Sequence, residues 1–480
     1  MALARNPIIR GFNPDPSICR VGEDYYLVTS TFEFFPGVPI YHSRDLSSWR
    51  LIGHVLTRPE QLNLKGIRAS GGVYAPTLRH HEGTFYMITT LVDGGGNFLV
   101  TAPDILGPWS DPVWIDQPGI DPDLFFEDGQ CYLLTSAVVG QDHFIMQSLI
   151  NPQTGEFLSE KTALCRGSGG NCPEGAHMYH IGKWYYLMLA EGGTEYGHCE
   201  TIFRAPSPTG PFEPCPHNPI LTMFGLKAQF ESFRCSGHAD LVEDHLGQWW
   251  MVSLGVRPLP GVMLHNLGRE TFLSRVHWTE DGWPVVNEKG TLVEEVETNL
   301  PKWTGEPICA DTFIRNPDPS CYQGSTMRGR GVTLSTPASP TFAGVRQQSF
   351  SGSFSAQVCL RGDGLAGLTA YYTHDQHYDV FLRQKDGRRS IVVRKRLYDM
   401  ECEVASALVD QEEVRLRIGM SPQEYSFHYM DQGRWVRLGS GATAGLCTEV
   451  SRFMTFTGVF LGRFCEEGEA DFTQIETRFE

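Results

Sequence analysis

The sequence lacks several features that would place it in a common protein class. It has thirteen cysteines but no Cys-x-x-Cys pair, and it contains no Asn-x-Ser/Thr acceptor site. Cysteines scattered in this way fit neither a zinc ribbon nor a dense disulfide framework. No apolar run approaches the roughly 20 residues that a membrane-spanning helix needs, so we expect no membrane partner.

Positive charge is also scarce. Lysine and arginine number 39 against 56 aspartates and glutamates, a formal net charge of −17. Because nucleic-acid binding needs a basic face, we expect no nucleic-acid partner. The first residues lack the apolar core of a signal peptide. With the scattered cysteines, this predicts a cytoplasmic protein, although removal of a secretory leader would leave the same beginning.

Helical periodicity is almost absent, and a repeated aromatic phrase is found in its place. A turn followed by an aromatic-rich strand occurs five times within the first 250 residues. Other strand-like runs lie between the copies, so that each repeat holds about four short strands. Five four-stranded units predict an all-β fold that begins with a five-bladed β-propeller over residues 1–295. The five copies span residues 23–28, 83–88, 129–134, 182–187 and 247–252.

The pattern changes near residue 290. A linker-like stretch at 294–301 precedes a second region, 305–480, in which apolar and polar residues alternate, as at 414–418. Turn signals such as Asp386-Gly387 recur between these runs. Alternation with tight turns predicts an antiparallel β-sandwich as the second domain.

Acidic residues share one register of the repeat. Eleven residues before the second aromatic position of each copy lie Asp15, Ala75, Asp121, Glu174 and Ala239. In a ring of blades, equivalent positions face a central channel, so three carboxylates are expected to crowd one pocket. Crowding raises the pKa of at least one of them. Such a set can supply the general acid and the general base that glycosidic hydrolysis requires.

Two alternatives concern these acids. Asp123 lies two residues beyond Asp121 and would face the same side of its strand, but the repeat register favours Asp121. The carboxylates, with His238 beside the fifth position, could instead hold a hard cation. The many aromatic residues near the predicted pocket favour the sugar interpretation, because aromatic faces stack on sugar rings.

Seven ordered motifs resemble glycoside hydrolase family 43, and in detail its β-xylosidase/α-L-arabinofuranosidase branch with a C-terminal β-sandwich. The resemblance covers essentially the whole chain and is strongest over residues 6–290. The motifs are Phe-Asn-Pro-Asp-Pro-Ser-Ile at 12–18, Ser-Thr-Phe-Glu-Phe-Phe-Pro-Gly at 30–37, Ser-Gly-Gly-Val-Tyr-Ala-Pro at 70–76, Gly-Ile-Asp-Pro at 119–122, Pro-Glu-Gly at 173–175, Gly-His-Ala-Asp at 237–240 and Leu-Gly-Arg-Glu-Thr-Phe at 267–272.

The resemblance implies an inverting, exo-acting glycosidase that releases terminal β-D-xylose, α-L-arabinofuranose or both. The implied substrates are xylo-oligosaccharides and arabinoxylan fragments. Asp15 would be the general base, Glu174 the general acid, and Asp121 the residue that tunes and orients the acid. Inversion requires the acid and base to lie roughly 6.5–9.5 Å apart, so that a water molecule fits between them.

The resemblance also implies a substrate pocket. Phe32 would form an aromatic wall, and Arg269 would bond to sugar hydroxyls. Tyr74 stands where many close xylosidases have tryptophan, so this wall differs. His238 resembles a family histidine that in some members approaches calcium through water; a buried core histidine is the alternative.

Other features stay open at this stage. One phenylalanine of 456–462 is expected to help close the pocket. Asp311 and Asp471 could share a structural calcium or could be ordinary surface residues, and no cofactor is required for the chemistry. A stretch at 223–235 matches no known pattern, and a homo-oligomer is an open alternative.

Three other functions compete with this interpretation. A retaining fructosidase-like propeller would carry different motifs at the three acids. A non-catalytic sugar-binding propeller would tolerate their loss, yet all three are present. A protein-interaction propeller gives no reason for acids on its axis.

Overall fold

The computed structural model describes residues 1–226 and 233–480. Five antiparallel sheets of the N-terminal region follow one another along the chain, and in each the main strands pair in sequence order. The innermost strand of each sheet contacts that of the next, and the fifth contacts the first. This closed ring is the predicted five-bladed propeller.

The strands of the five blades, with their bounds, are as follows. Blade 1 contains Ser17–Val21, Asp24–Val28, Gly37–Ser43 and Arg50–Leu56; blade 2 contains Gly72–Val73, Thr77–His81, Thr84–Val92, Gly96–Ala102 and Val113–Ile115; blade 3 contains Ile120–Glu127, Gln130–Val139, Asp142–Ile150 and Thr162–Cys165; blade 4 contains Glu174–Ile181, Trp184–Glu191, Cys199–Ala205, Glu213–Pro214 and Leu221–Thr222; blade 5 contains Arg234–Glu243, Trp249–Val256, Glu270–Trp278 and Pro284–Val286.

The aromatic phrase forms the strand that pairs with the innermost strand in every blade. This strand lies between two others, and each copy has an apolar residue with no exposed surface: Leu27, Ile88, Leu133, Leu187 and Met251. A glycine with φ between +63° and +85° lies in the turn before each of these strands, at 22, 83, 129, 182 and 247. Glycine adopts this left-handed conformation without a steric penalty. The turn therefore sets the register of the innermost strand against the aromatic strand, which explains the constant eleven-residue offset.

The N-terminal segment closes the ring. Ala2–Arg5 pairs with Glu295–Thr298, and Asn6 donates a side-chain hydrogen bond of 2.8 Å to the Leu273 carbonyl of blade 5. Part of the stretch that the sequence suggested as a linker is therefore a strand. Its pairing partner is the first strand of the chain, so it belongs to the propeller.

The C-terminal region is the predicted antiparallel β-sandwich. Two long strands, Gly352–Thr373 and Phe460–Phe479, pair with each other and run through both layers. Glu413–Met420 pairs with the first half of Gly352–Thr373, and Gln376–Lys385 pairs with its second half. The other strands are Phe313–Ile314, Tyr322–Gln323, Thr326–Arg328, Phe342–Arg346, Arg388–Leu397, Met400–Leu408, Glu424–Asp431 and Arg434–Ala442, and the 3₁₀ helices are Pro319–Cys321, Thr443–Leu446 and Thr448–Val450.

An aromatic core joins the two domains. The Phe34–Phe35 strand of the propeller pairs with Phe313–Ile314. The Phe34 ring stacks on Phe460 at 4.1 Å, and Phe12 meets Phe460 edge-on at 6.0 Å. This packing holds the sandwich against the propeller at the edge of the central channel.

Candidate active site

A cavity of about 180 Å³ lies where the innermost strands begin, at the centre of the ring. Seven of the sequence-predicted site residues line it together. They are Asp15, Phe32, Tyr74, Asp121, Glu174, His238 and Arg269. The remaining lining residues are Ala75, Ile120, Cys172, Gly193, Thr194, Met454 and Phe456.

Strained backbone directs two of the acidic side chains and the histidine into this cavity. Asp15, Asp121 and His238 have φ values of +54°, +53° and +49°, a region that non-glycine residues seldom occupy. Irregular pairing interrupts the innermost strand at Asp121, after Glu174 and at His238. Bulges of this kind re-aim side chains near active sites, so the same local device recurs in three blades.

Asp15 is buried and held in its charged form. Its Oδ2 accepts a 2.6 Å hydrogen bond from the Ser30 hydroxyl, and its Oδ1 accepts one of 3.0 Å from Arg269. Burial alone would raise the pKa of Asp15, but the Arg269 charge, nearby His238 and the Ser30 hydrogen bond together lower it. An ionised carboxylate of this kind can accept a proton from water.

The pKa values of Glu174 and Asp121 are shifted in the opposite direction. Burial, followed by the charge of Asp15, raises the pKa of Glu174 to about 7. Burial and then the Glu174 charge raise the pKa of Asp121 well above its usual value. Because the two carboxyls interact strongly, they titrate as a pair. The pair retains a proton near neutrality that can be donated.

Arg269 connects the acids with the aromatic wall. Its Nη1 donates to Asp15 and also, at 2.8 Å, to the Thr194 hydroxyl. Its guanidinium lies over the rings of Phe32 and Phe456 at 5.8 and 5.4 Å. Its Nε is buried and has no hydrogen-bond partner among the described residues, which leaves a donor beside the cavity.

Three aromatic rings from both domains build one wall. Phe32 meets Tyr74 edge-on at 5.1 Å and stacks on Phe456 at 5.5 Å. The Phe456 amide donates a 2.9 Å hydrogen bond to Ser70 of the propeller, which fixes the loop that carries it. Phe456 therefore lines the cavity, whereas Phe460 belongs to the interdomain core.

His238 is neutral and tightly packed. Burial lowers its pKa to about 4, despite the nearby Asp15 charge. Gly175 approaches it so closely that a Cβ atom there would lie 2.8 Å from the ring. Only glycine fits between Glu174 and this imidazole, which explains the Glu-Gly pair of the fourth repeat.

His198 was missed by the sequence analysis. It is buried behind Gly237, its Nδ1 donates to the Gly193 carbonyl at 2.5 Å, and its Nε2 has no partner within the described ranges. Burial lowers its pKa to about 3. His198 and Thr194 flank a loop outside the repeat phrase, so the repeat register could not reveal them. The glycines at 192–193 are the one local signal of a close backbone approach.

Asp123 has a different role from Asp121. It has no exposed surface and lies 2.9 Å from Arg79, which also forms a 2.9 Å ion pair with Asp240. Asp240 accepts a further hydrogen bond of 2.8 Å from Ser17. This buried cluster joins the innermost strands below the cavity.

Asp311 and Asp471, which could share a calcium or be ordinary surface residues, each have an arginine partner. Asp311 forms an ion pair with Arg463, whereas Asp471 pairs with Arg361 and accepts from Thr326. Each carboxylate is neutralised by its own arginine.

One cluster within the described ranges has metal-ligand chemistry. Ligand atoms of Asp121, Glu174 and His238 lie within 4.8 Å of one another. Two carboxylates and an imidazole could hold a divalent cation. A cation there would keep Glu174 ionised and remove the proton that a general acid needs.

A second cavity of about 550 Å³ adjoins the first and shares Thr194, Arg269, Met454 and Phe456 with it. The propeller loop at 194–196 and the sandwich loop at 448–457 form most of its wall. Glu449 connects these loops, since it accepts from His265 at 2.8 Å and from Tyr196 at 3.1 Å. The unmatched stretch at 223–235 is near blade 5, but 227–232 lie outside the described residues.

A ring of five blades with paired carboxylates of opposed pKa in an aromatic-walled cavity defines a propeller glycosidase. Comparisons with known proteins give its family. The model of glycosyl hydrolases family 43 matches residues 4–284, and that of the beta xylosidase C-terminal concanavalin A-like domain matches residues 312–477. The chain belongs to glycoside hydrolase family 43.

The relatives resemble the chain over most of its length. A non-reducing end alpha-L-arabinofuranosidase of Bacteroides ovatus is 43% identical over 97% of this chain and 92% of its own. A xylosidase/arabinosidase of Butyrivibrio fibrisolvens is 38% identical over 80% and 81%. The solved structure of the Bacteroides ovatus xyloglucan PUL GH43B superposes with a TM-score of 0.93 at 41% identity and covers 100% of both chains.

These findings confirm the predicted family, fold and exo-glycosidase activity. The catalytic and binding roles of the individual residues stay predictions. Within the described ranges, no helix has the length and apolar character to cross a membrane.

Proposed function

We propose that the protein hydrolyses terminal β-D-xylose and α-L-arabinofuranose from xylo-oligosaccharides and arabinoxylan fragments with inversion of the anomeric centre. The observation that carries this proposal is the opposed ionisation of two buried carboxyls in one cavity. Asp15 has a lowered pKa and Glu174 a raised one. A charged base and a protonated acid are what a single-displacement hydrolysis requires.

In the proposed mechanism, Asp15 removes a proton from water as the water oxygen attacks the anomeric carbon. The bond to the leaving oxygen breaks as Glu174 donates its proton to that oxygen. Asp121 keeps the Glu174 proton in place, because ionising both carboxyls at once would bring two buried negative charges together. Release of the products lets both groups exchange protons with solvent.

The size of the catalytic cavity supports attack at a chain end. Its 180 Å³ equals the space of roughly six water molecules, which suits one sugar ring and not two. The leaving group would then occupy the adjoining 550 Å³ cavity. That cavity borders the blade that carries Glu174, which is where a leaving group protonated by Glu174 would lie.

The activities of the relatives support the choice of sugars. One is an arabinofuranosidase and another a xylosidase/arabinosidase. The 43% identity to the arabinofuranosidase favours a second candidate, in which arabinofuranosidase activity predominates. Tyr74 lies in the cavity wall and is expected to influence this balance.

Specificity constants on matched substrates test the proposal. The values of kcat/KM on xylobiose and on an arabinofuranosylated xylotriose would be compared for the wild type and Glu174→Gln. We expect the wild type to act on both and the variant to lose activity on both. Inactivity of folded wild-type enzyme on both substrates and on their p-nitrophenyl analogues would contradict the proposal.

We also propose that the protein works in a reducing compartment. All thirteen cysteines are free, and seven of them are buried. Titration of the unfolded chain with a thiol reagent after purification without reductant should give thirteen thiols. A smaller number that rises on reduction would contradict the cytoplasmic assignment.

A further inference from the structure

A third cavity, of about 750 Å³, lies between the domains and shares no lining residue with the catalytic cavity. Four chain segments form it: the N-terminal residues 3–13, blade-1 residues 41–51, the connecting residues 307–312 and the sandwich residues 345–348. Its volume falls in the range of small-molecule sites.

Arginine dominates the charge of this cavity. Arg5, Arg10, Arg50 and Arg346 line it, and Asp311 is the single acid among its lining residues. Asp311 is already paired with Arg463, and Arg5 is paired with Glu295 at 3.2 Å. On a chain with a formal net charge of −17, this local excess of positive charge needs an explanation.

Three of these arginines have no carboxylate partner within the described ranges. Arg50 donates to the backbone carbonyls of Gly305 and Trp49 at 2.7 and 3.0 Å. Arg346 donates through Nε to the Phe12 carbonyl at 2.7 Å. Arg10 makes no side-chain hydrogen bond or ion pair with the residues that the structure describes. Backbone contacts orient Arg50 and Arg346 without neutralising either charge.

The positive charge of Arg346 is held in a partly buried and partly aromatic environment. Its guanidinium lies over Phe12 and Phe460 at 5.7 and 5.6 Å. Burial lowers its pKa. Burial, followed by the charge of Arg346, lowers the pKa of His54 to about 3. His54 therefore stays neutral, and the positive charge of Arg346 is not offset by an acid.

The remaining wall is apolar and partly aromatic. Trp49, Ile8 and Pro307 line the cavity, as does Tyr41, whose hydroxyl donates to Asn13 at 2.7 Å. An aromatic and apolar surface beside cationic guanidinium groups suits a ring that carries an anionic group. Guanidinium groups bind carboxylate and phosphate oxygens with paired hydrogen bonds.

We propose that this interdomain cavity binds a sugar-sized anion, in which a carboxylate or phosphate group meets Arg10, Arg50 and Arg346 and the ring packs on the apolar wall. The ligand differs from the neutral pentose of the catalytic cavity. A uronic acid and a phosphorylated sugar share this chemistry, and the test below separates them.

Binding would be measured by titration calorimetry on the full-length protein, with saturating xylose present to fill the catalytic cavity. The probes are sodium glucuronate, glucose 6-phosphate, neutral glucose and inorganic phosphate. We expect one or both sugar anions to bind and glucose not to bind. The tighter of the two identifies the anionic group.

The double variant Arg10→Gln/Arg50→Gln should weaken this binding by about tenfold or more, since each lost charge-assisted hydrogen bond removes that order of affinity. Arg346 is left intact because it also supports the Phe12 backbone. Arg434→Gln, an exposed arginine of the sandwich, is the matched control and should bind like the wild type. Thermal unfolding confirms that both variants fold.

Three results would overturn the proposal. The first is the absence of binding for both sugar anions. The second is binding that the double variant leaves unchanged. The third is inorganic phosphate binding as tightly as either sugar anion, which would show a general attraction for anions and no recognition of a ring.

Discussion

Arg269 donates a 3.0 Å hydrogen bond to Asp15, and both side chains are less than one-tenth exposed. The ion pair lowers the pKa of Asp15. The resulting Asp15 charge contributes to the raised pKa of Glu174. One buried contact therefore helps to set the ionisation of both the base and the acid.

Replacing Asp15 should stop the reaction without unfolding the protein. Asp15→Asn keeps the shape of the side chain but cannot take a proton from water. We expect kcat to fall by roughly 10²–10⁴, the usual contribution of a general base. Asp128→Asn is the matched control, because Asp128 is an exposed turn residue with φ of +49°. Similar rates for the two variants would refute the role of Asp15.

The pH profile of kcat/KM should reflect the titration of the Asp121–Glu174 pair. The raised pKa of Glu174, about 7, means that the acid is protonated below this pH and loses its proton above it. We expect kcat/KM to fall as the pH rises through about 7, while the lowered pKa of Asp15 places the acidic limb below the ordinary carboxyl range. A profile that stays flat to pH 9 would contradict this assignment.

The leaving group should determine how much Glu174→Gln matters. A dinitrophenolate leaves without protonation, whereas a sugar alkoxide does not. We therefore expect a far smaller loss of kcat/KM on a dinitrophenyl glycoside than on xylobiose. Equal losses on both substrates would indicate that Glu174 is not the proton donor.

Phe456 should control the affinity for the sugar in the catalytic cavity. Its ring stacks on Phe32 at 5.5 Å from the opposite domain, and an aromatic contact is worth about 0.5–1.5 kcal/mol. Phe456→Ala should raise the inhibition constant of the free pentose by roughly 2- to 12-fold. Phe453→Ala is the control, since Phe453 lines the adjoining cavity and stacks on His374. An equal effect of both substitutions would count against a specific contact.

Arg79 should matter for stability. It pairs at 2.9 Å with Asp123 and with Asp240, both without exposed side-chain surface. Arg79→Met would leave two buried carboxylates unpaired, at a cost of about 3–5 kcal/mol in the free energy of unfolding. Arg44→Met, which breaks a half-exposed pair with Asp24, should cost less than about 1 kcal/mol.

The same cluster should show a defined pH dependence. Burial alone would raise the pKa of Asp240, but Arg79 and other partners lower it well below the usual value. A lowered pKa stabilises the fold above the unfolded-state value of about 3.9, and this contribution is lost as the pH falls. The difference between wild type and Arg79→Met in urea unfolding should therefore shrink towards acid pH. A constant difference would contradict the pairing.

The repeat register made much of the catalytic centre predictable. A tight hairpin links the innermost and aromatic strands, so a fixed offset locates Asp15, Asp121 and Glu174 on the channel. The family motifs added Phe32 and Arg269, which the offset does not reach. The places of these residues follow either from the hairpin offset or from the family motifs, and both can be recognised in the sequence.

Other parts depend on contacts between distant segments. His198 lies outside the repeat phrase and is recognised by its packing against Gly237. The family resemblance indicated the segment 456–462, but the choice of Phe456 as the cavity residue follows from the packing of Phe460 on Phe34, a contact between distant segments. Asp311 and Asp471 suggested a possible calcium site by their places near the two ends of the sandwich sequence, yet each has its own arginine partner. The stretch at 294–301 was interpreted as a linker because pairing with Ala2–Arg5 spans almost 300 residues.

The stereochemistry of the released sugar shows whether Asp15 acts as a base or as a nucleophile. Proton NMR of p-nitrophenyl β-D-xylopyranoside hydrolysis would be recorded in the first minutes, before mutarotation. Direct attack by the water that Asp15 activates predicts that α-xylose appears first and the β-anomer follows by mutarotation. First appearance of β-xylose would show a retaining double displacement and would contradict the assignment of Asp15 as a base.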